Sequence, residues 1–488
     1  MRLTMEGDVL RTPEAGRLVI RGAAVRGLGY GAGVLLVAAA SVFLLRYLGV
    51  ADFGRFATVM SLIAIVSGVT DAGLTAVGAR DLPLRPSDSQ PRLVANLLGL
   101  RLLLTPLGVL GATAFAVVAG YDDELVVGTL LAGAGLVLIN AQATMMLPLQ
   151  VDLRIGRLTA AEVLRQALTV AGIVILVAAG ASLLPFFAVP IIVGLGVLAA
   201  SPLLVGPRLV FRPLVERSEW RSLLREALPL AASLVMSVVY FRVLIILVSL
   251  ISTAQETGLY ATSFRIFEIL FGLPTLVLTV ALPVLAVAHD DRPRLRYMLQ
   301  RMTEVGAIAA VFLAVLIVIV ARPMIELLGG SEYEDAAPIL RIQAFALVAV
   351  FLGQVWQLGL ISVRRQSALV LANGVALALV LGLGVLLVSA YESVGAAVAA
   401  VVAETALATA LFVLLARADP ALRPDLEFFW KPALAGGLMA ACLLVPGLHV
   451  ALTALLGTAV FAVAVWATRA LPPEVLDALR PTSSAPRG

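Results

Sequence analysis

The 488-residue chain is 61% hydrophobic and only 14% charged, with a mean hydropathy of +1.04. Soluble domains carry about 25% charged residues, so this composition excludes a water-soluble globule and leaves a polytopic membrane protein. The net charge of +4 and sequence pI near 9.5 suit the basic loops that orient a membrane protein, and no nucleic-acid partner is expected.

Residues 1–16 are polar, and no small-residue cleavage site follows a short apolar core, so no cleaved signal peptide is expected. Apolar runs near the length a bilayer requires then recur fourteen times. They lie near 27–45, 56–78, 96–119, 125–148, 159–184, 185–205, 228–251, 259–287, 305–321, 337–361, 368–390, 394–416, 433–449 and 450–468. No charge separates the pairs joined at 184/185 and 449/450, which makes those boundaries the least defined.

Gly27, Gly29, Gly31 and Gly33 give the first run overlapping GxxxG spacings, which permit close helix contact or bending. No Walker lysine accompanies them, so they form no phosphate loop. The stretch 46–81 comes next, with Arg46 and Arg55 around a short Gly/Asp turn and Asp71 inside the following apolar run. An intramembrane charge costs roughly 2.5–3.5 kcal/mol on insertion scales, so Asp71 requires a partner or a polar cavity. Asp122, Asp123 and Glu124 read either as a metal-dependent glycosyltransfer motif or as a charged turn between helices, and the turn is favoured. Pro274 and Pro283 are expected to kink the eighth helix.

Counting basic residues in alternate loops places 27 of the 35 on one side. Arg46, Arg55 and Arg322 lie opposite, among acids such as Asp122, Glu124, Glu332 and Asp335. The positive-inside rule then puts both termini in the cytoplasm. GRFAT at 54–58 echoes GLYAT at 258–262, each opening the second helix of its half, which suggests a duplicated six-helix unit. The expected domains are an N-terminal lobe at 1–205, a cytoplasmic linker at 206–226, a second lobe at 227–417, and two further helices with a tail at 418–488.

Nine charges fall inside the expected helices: Arg101, Arg165, Arg242, Arg265 and Arg341, with Asp71, Glu162, Glu268 and Glu404. Arg242 sits about 21 Å into its helix and Glu404 about 15 Å from its helix end, too deep for easy snorkelling, whereas Arg341 is only about 6 Å inside. Glu162 with Arg165 and Arg265 with Glu268 stand at i,i+3. Each pair reads as an ion pair that lets a charged helix insert, or, for Arg265, as a cavity cation held in place by Glu268. Arg242 has no acid in its own helix and reads as a cavity-lining cation. Asp71 and Glu404 lack a basic neighbour at i±3 or i±4, so each either binds a coupling proton or Na⁺ or pairs with an arginine on another helix. Cys442 is the single cysteine, and His289 and His449 are the only histidines. Structural zinc, disulfides and a Cys/His nucleophile therefore have almost no ligands to draw on, and no cofactor, metal or catalytic residue is expected. All basic residues except Lys431 are arginine, a bias that fits a GC-rich genome more than a function.

Three phrases carry a family resemblance: RGAAVRGLGYGAG, LLRYLGVADFGRFATV and SLIAIVSGVTDAGLTAVGARDL. The most specific is R-x-L-G-x-x-x-[FY]-G, here Arg46, Leu48, Gly49, Phe53 and Gly54. The segment resembles the opening of the polysaccharide biosynthesis proteins, lipid-linked oligosaccharide flippases of the multidrug/oligosaccharidyl-lipid/polysaccharide exporter superfamily. The resemblance implies an all-α protein of about 14 transmembrane helices, with two six-helix lobes around a V-shaped central cavity and two C-terminal helices. In the related lipid II flippases, cavity arginines hold the substrate pyrophosphate and the extra helices border a groove for the lipid tail. Arg46 falls near such an arginine by position, and Arg242 and Arg265 correspond by analogous placement.

The expected function is a flippase for a polyprenyl-pyrophosphate-linked oligosaccharide in the cytoplasmic membrane. Arg46, Arg55, Arg101, Arg242 and Arg265 are the candidate substrate ligands, and Asp71, Glu268 and Glu404 the coupling or cavity acids. The expected partners are the glycolipid, the bilayer and other glycan-assembly proteins. A cation-coupled small-molecule exporter is the first alternative, although arginine outnumbers acid among the buried charges. A membrane-embedded glycosyltransferase or polymerase is the second, although the longest outer segment is only about 15 residues, 322–336.

Overall fold

A computed structural model of the chain describes residues 13–71, 73–152, 154–206, 209–287, 291–363 and 365–471. Within these residues the chain is helical and holds no strand. A bilayer imposes this, since every backbone N–H and C=O in hydrocarbon must be satisfied inside its own segment. Each of the fourteen apolar runs falls mainly on helix, although the run at 433–449 is α-helical only as far as Ala441. Among the described residues eleven stretches are long and apolar enough to cross a membrane, with kinked stretches counted once, and the protein is a multi-pass membrane protein.

The contacts divide the chain into two compact units, Met1–Val238 and Val239–Gly488. The first unit opens with α1 (Pro13–Asp71), 59 residues in length. A straight helix of that length would run about 88 Å, well over twice a hydrocarbon core of about 30 Å. Gly49 breaks it, with φ 71° and ψ 175°, a left-handed backbone that side-chain-bearing residues resist. The break is therefore at Gly49, in the short Gly/Asp turn expected between the first two apolar runs. At Gly33 an added Cβ would meet open space, so no close helix contact is made there.

The unit continues with α2 (Leu74–Asp81), α3 (Gln90–Val118), α4 (Asp123–Met145), α5 (Leu147–Val151), α6 (Ile155–Ala178), α7 (Leu183–Phe186) and α8 (Val189–Val205). The weak boundary near 184/185 falls instead at 179–182, where α6 ends before the short α7. One core joins Val59, Ile63 and Val66 of α1 to Val109 of α3, Leu136 of α4 and the fully enclosed Phe187. α4 and α8 pack backbone to backbone: a Cβ on Gly135 would lie 2.4 Å from the Pro190 carbonyl carbon. Close contact through small residues is how helices associate in lipid, where no hydrophobic force drives them together.

The segment expected as a cytoplasmic linker, 206–226, is half helix, because α9 (Arg217–Ile251) begins within it. Its other half docks on α3: the Leu214 N–H donates to the Ala95 carbonyl and the Glu216 N–H to the Asn96 side chain. Three ion pairs reinforce this, Arg92 with Glu216 at 2.6 Å, Arg85 with Glu219 at 2.5 Å, and Arg80 with Glu226.

The second unit takes the end of α9, then α10 (Ala254–Val287), α11 (Arg292–Gly329), α12 (Ala336–Ser362), α13 (Gln366–Ala418), α14 (Trp430–Ala441) and α15 (Val450–Ala467). α10 is helical from end to end, with Pro274 and Pro283 inside it. α13 spans 53 residues and breaks at Glu392, which holds φ 52° without being glycine. The break falls between the runs at 368–390 and 394–416. Its core is Trp356, Leu358 and Leu360 of α12 against Leu411 and Leu415 of α13 and Leu299 of α11. The boundary near 449/450 is a short passage at 442–449, after which His449 Nδ1 accepts from the Ala451 N–H and caps α15.

The two short repeats share more than letters. Thr58 donates to the Gly54 carbonyl at 2.9 Å, and Thr262 to the Gly258 carbonyl at 2.7 Å, both buried more than two turns beyond the start of a helical stretch.

Candidate functional site

The charges left inside the helices collect into three assemblies, two in the first unit and one in the second. The deepest is built on Arg101, in the middle of α3 and only 5% exposed. A guanidinium there must find acceptors on neighbouring helices. One Nη donates to Thr144 Oγ1 of α4 at 3.0 Å and the other to Thr75 Oγ1 of α2 at 2.5 Å, and Asp71 at the end of α1 supplies the countercharge. Thr75 in turn donates to the Asp71 carboxylate at 2.5 Å. Of the two possibilities left open for Asp71, the structure realises the pairing with an arginine on another helix.

At the turn between α3 and α4, Arg55 meets three carboxylates: Asp52 at 3.3 Å, Glu124 at 2.9 Å, and Asp122. Asp122 also accepts from the Leu125 N–H at 2.9 Å, capping α4. Capping and pairing with Arg55 account for the acidic triplet as a turn. Arg46 is exposed on α1, one turn before Gly49, and the adjacent Tyr47 hydroxyl donates to the Ala181 carbonyl at 2.8 Å.

The second unit holds the assembly with excess positive charge. Glu268 of α10 receives Arg265 of its own helix at 3.0 Å and, through its other oxygen, Arg242 of α9. The i,i+3 spacing announced the first contact, and nothing in sequence announced the second. Arg242 also stands 5.5 Å from the Phe241 ring centre and 5.6 Å from that of Phe264, within cation–π range. The three charged side chains are neither sealed nor open, at 22% for Arg242, 36% for Arg265 and 24% for Glu268. They can reach a ligand without first unfolding a helix.

Glu404 of α13 behaves differently. It is 7% exposed, and the Tyr240 hydroxyl of α9 stands with it in one small cavity, placed to donate to it. Tyr260, Gln343, Phe241, Phe264 and Phe267 share its small cavity of about 20 Å³, roughly one water in size. Where an arginine on another helix was the expected alternative to coupling, a tyrosine stands instead, and the only hint was that Tyr240 lies two residues from Arg242. Of the remaining interior charges, Glu162 and Arg165 pair at 2.5 Å on a partly exposed face of α6, and Arg341 is exposed. No group of His, Cys, Asp and Glu among the described residues could hold a metal, and His289 lies outside them.

Outside the spans, the Arg92 guanidinium bonded to Glu216 holds that carboxyl below its usual range.

A family model described as polysaccharide biosynthesis protein matches residues 43–338, more than half of the chain. The chain belongs to that family. The matched region includes all three charged assemblies but ends before Glu404. Among curated proteins no match is found. Among solved structures, the lipid II flippase MurJ in an inward closed conformation is similar over 90% of this chain and 98% of that one, with a TM-score of 0.78 and 14% identity. An inward-facing multidrug resistance MATE family transporter of the MOP superfamily is similar over 82% of this chain and 98% of that one, with a TM-score of 0.62 and 14% identity. A MOP superfamily transporter from Pyrococcus furiosus matches over 87% of this chain and all of its own, at a TM-score of 0.57 and 16% identity. At such identities the likeness establishes a shared fold: this member of the polysaccharide biosynthesis family has the all-helical fold of MurJ and the MATE transporters.

Proposed function

We propose that this protein flips a polyprenyl-pyrophosphate-linked oligosaccharide from the inner to the outer leaflet of the cytoplasmic membrane by alternating access, supplying cell-surface polysaccharide assembly. The observation that carries the reading is the Arg242–Glu268–Arg265 cluster, two guanidinium groups sharing one carboxylate inside membrane-spanning helices of a polysaccharide biosynthesis protein. Such a cluster can accept an anion by exchange. A pyrophosphate oxygen takes the place of one Glu268 oxygen on Arg242, while Glu268 keeps Arg265 oriented. Guanidinium suits the task because it offers planar paired donors and keeps its charge. Arg46 and Arg55 stand as approach residues, and Arg101 with Asp71 as the charged support of the first unit.

Both termini are taken as cytoplasmic, from the distribution of basic residues. Outward movement of an anion is then favoured by about 2.3 kcal/mol per charge per 100 mV of inside-negative potential. The reading requires no chemical step and assigns no catalytic residue. Glycan-assembly proteins that make and consume the lipid-linked sugar are the partners it implies.

A second reading, a cation-coupled exporter, has one observation in its favour: Glu404, buried against Tyr240 in an aromatic cavity. A buried carboxyl held by a phenol can exchange a proton as its helices move. The two readings separate in cells depleted of the protein. Flippase function requires lipid-linked oligosaccharide to accumulate where an external glycosidase cannot reach it. Unchanged glycolipid distribution with raised sensitivity to small toxic cations would favour the exporter.

A further inference from the structure

Away from these assemblies, α11, α14 and α15 converge on an open cleft of about 680 Å³ at the N-terminal end of α14 and the C-terminal end of α15. Arg301, Glu304, Phe428, Lys431, Trp466 and Arg469 line it. Glu304 is already engaged, by Arg301 at 2.6 Å and Gln300 at 3.1 Å. Lys431, the one lysine of the chain, donates to the Arg469 carbonyl at 3.3 Å and stands 5.6 Å from the Phe428 ring centre. Neither Lys431 nor the Arg469 side chain has a carboxylate within ion-pair range among the described residues. The cleft therefore presents two cations that no carboxylate among the described residues answers.

The surface leading to the cleft is graded in polarity. Leu452, Leu455, Leu456 and Val463 form an exposed stripe at helical spacing on α15. Trp466 follows, 74% exposed, and then Arg469. From Leu452 to Trp466 is about 21 Å along the helix, close to the reach of one acyl chain. Apolar stripe, indole and cations in that order match acyl chain, interface and phosphate, and tryptophan concentrates at that depth. We propose that this cleft binds the phosphodiester headgroup of an acidic glycerophospholipid from the adjoining leaflet, with Lys431 and Arg469 as its ligands and the acyl chain along α15. Basic pockets between membrane helices recognise such headgroups by the same electrostatics.

The test uses the full chain in vesicles of phosphatidylcholine containing a minor fraction of either brominated phosphatidylglycerol or brominated phosphatidylcholine. Trp466 emission is isolated as the difference between the protein and Trp466→Phe. Brominated phosphatidylglycerol should quench it preferentially, with an enrichment near Trp466 that falls roughly five-fold for each cation removed. Lys431→Gln and Arg469→Gly should each lose that factor, and Lys431→Arg should retain it. Arg469 holds φ 48°, so glycine there removes the side chain while relaxing the backbone, and its melting temperature should not fall. Equal quenching by both lipids would overturn the proposal, as would an enrichment unchanged in Lys431→Gln and Arg469→Gly. Displacement of the quencher by inorganic phosphate would overturn the lipid assignment in favour of a soluble anion.

Discussion

Removing Arg101 tests whether the first unit is held by its buried ion pair. Arg101→Met keeps the side-chain volume but leaves Asp71 and Thr75 facing no cation, in a pocket where the arginine is 6% and the aspartate 35% exposed. Breaking a fully buried pair costs about 3–5 kcal/mol. Partial exposure of Asp71 lets water screen it, which lowers the expected loss to about 2–3 kcal/mol. Part of that is the pair of threonine contacts, since interhelical hydrogen bonds in bilayers average about 0.6 kcal/mol each. Arg101→Met with Asp71→Leu removes both charges and should recover most of the stability, because apolar replacement of a buried pair is often neutral or better. Denaturation in mild detergent, followed by tryptophan emission and by recovery of monodisperse protein, measures both variants and the coupling between them. A single variant within about 0.5 kcal/mol of the parent would refute the reasoning, as would a double variant no better than the single.

Gly135→Ala drives a Cβ into the Pro190 backbone, which cannot move aside, so a loss of about 1–3 kcal/mol is expected in the same assay. Glu404→Gln keeps the hydrogen bond from Tyr240 but cannot release a proton. If Glu404 couples transport, the variant should keep its abundance and lose the dependence of transport on a pH gradient, and an unaltered dependence would remove Glu404 from coupling. The Glu216 carboxyl is lowered by Arg92, so its docking on α3 is complete above the usual carboxylate range and is lost as pH falls through the lowered value. Amide exchange at residues 214–216 should therefore accelerate only in acid, and Glu216→Gln should remove that pH dependence.

The helices were legible because lipid leaves few choices. A run of about 20 apolar residues must be helical, and all fourteen expected runs fall mainly on helices. Charge pairing was legible only where it is local. Arg265 and Glu268 stand one turn apart, so their contact follows from spacing, whereas Arg242 and Glu268 meet across 26 residues. Asp71 and Arg101 meet across 30 and Glu404 meets a tyrosine of α9, and no periodicity encodes such contacts. The breaks were legible in place but not in kind. Gly49 lies in the Gly/Asp turn expected between Arg46 and Arg55, and Glu392 lies between the runs at 368–390 and 394–416. The positive φ of Glu392 was not legible, because the surroundings impose it on a residue that does not favour it.

Transport in a purified system tests the central claim most directly. The protein is reconstituted into vesicles carrying a polyprenyl-pyrophosphate-linked oligosaccharide on one leaflet, and appearance of the sugar on the other is followed by lectin binding. The parent should move the glycolipid. Arg242→Ala and Arg265→Ala should each slow the movement at least about tenfold, since a charge-assisted hydrogen bond to phosphate contributes about 1.5–3 kcal/mol. Arg242→Lys should restore part of the rate, as charge is kept while the paired donors are lost. Movement by the parent that both alanine variants share undiminished would contradict the assignment of these arginines. No movement by the parent at all would contradict the flippase itself.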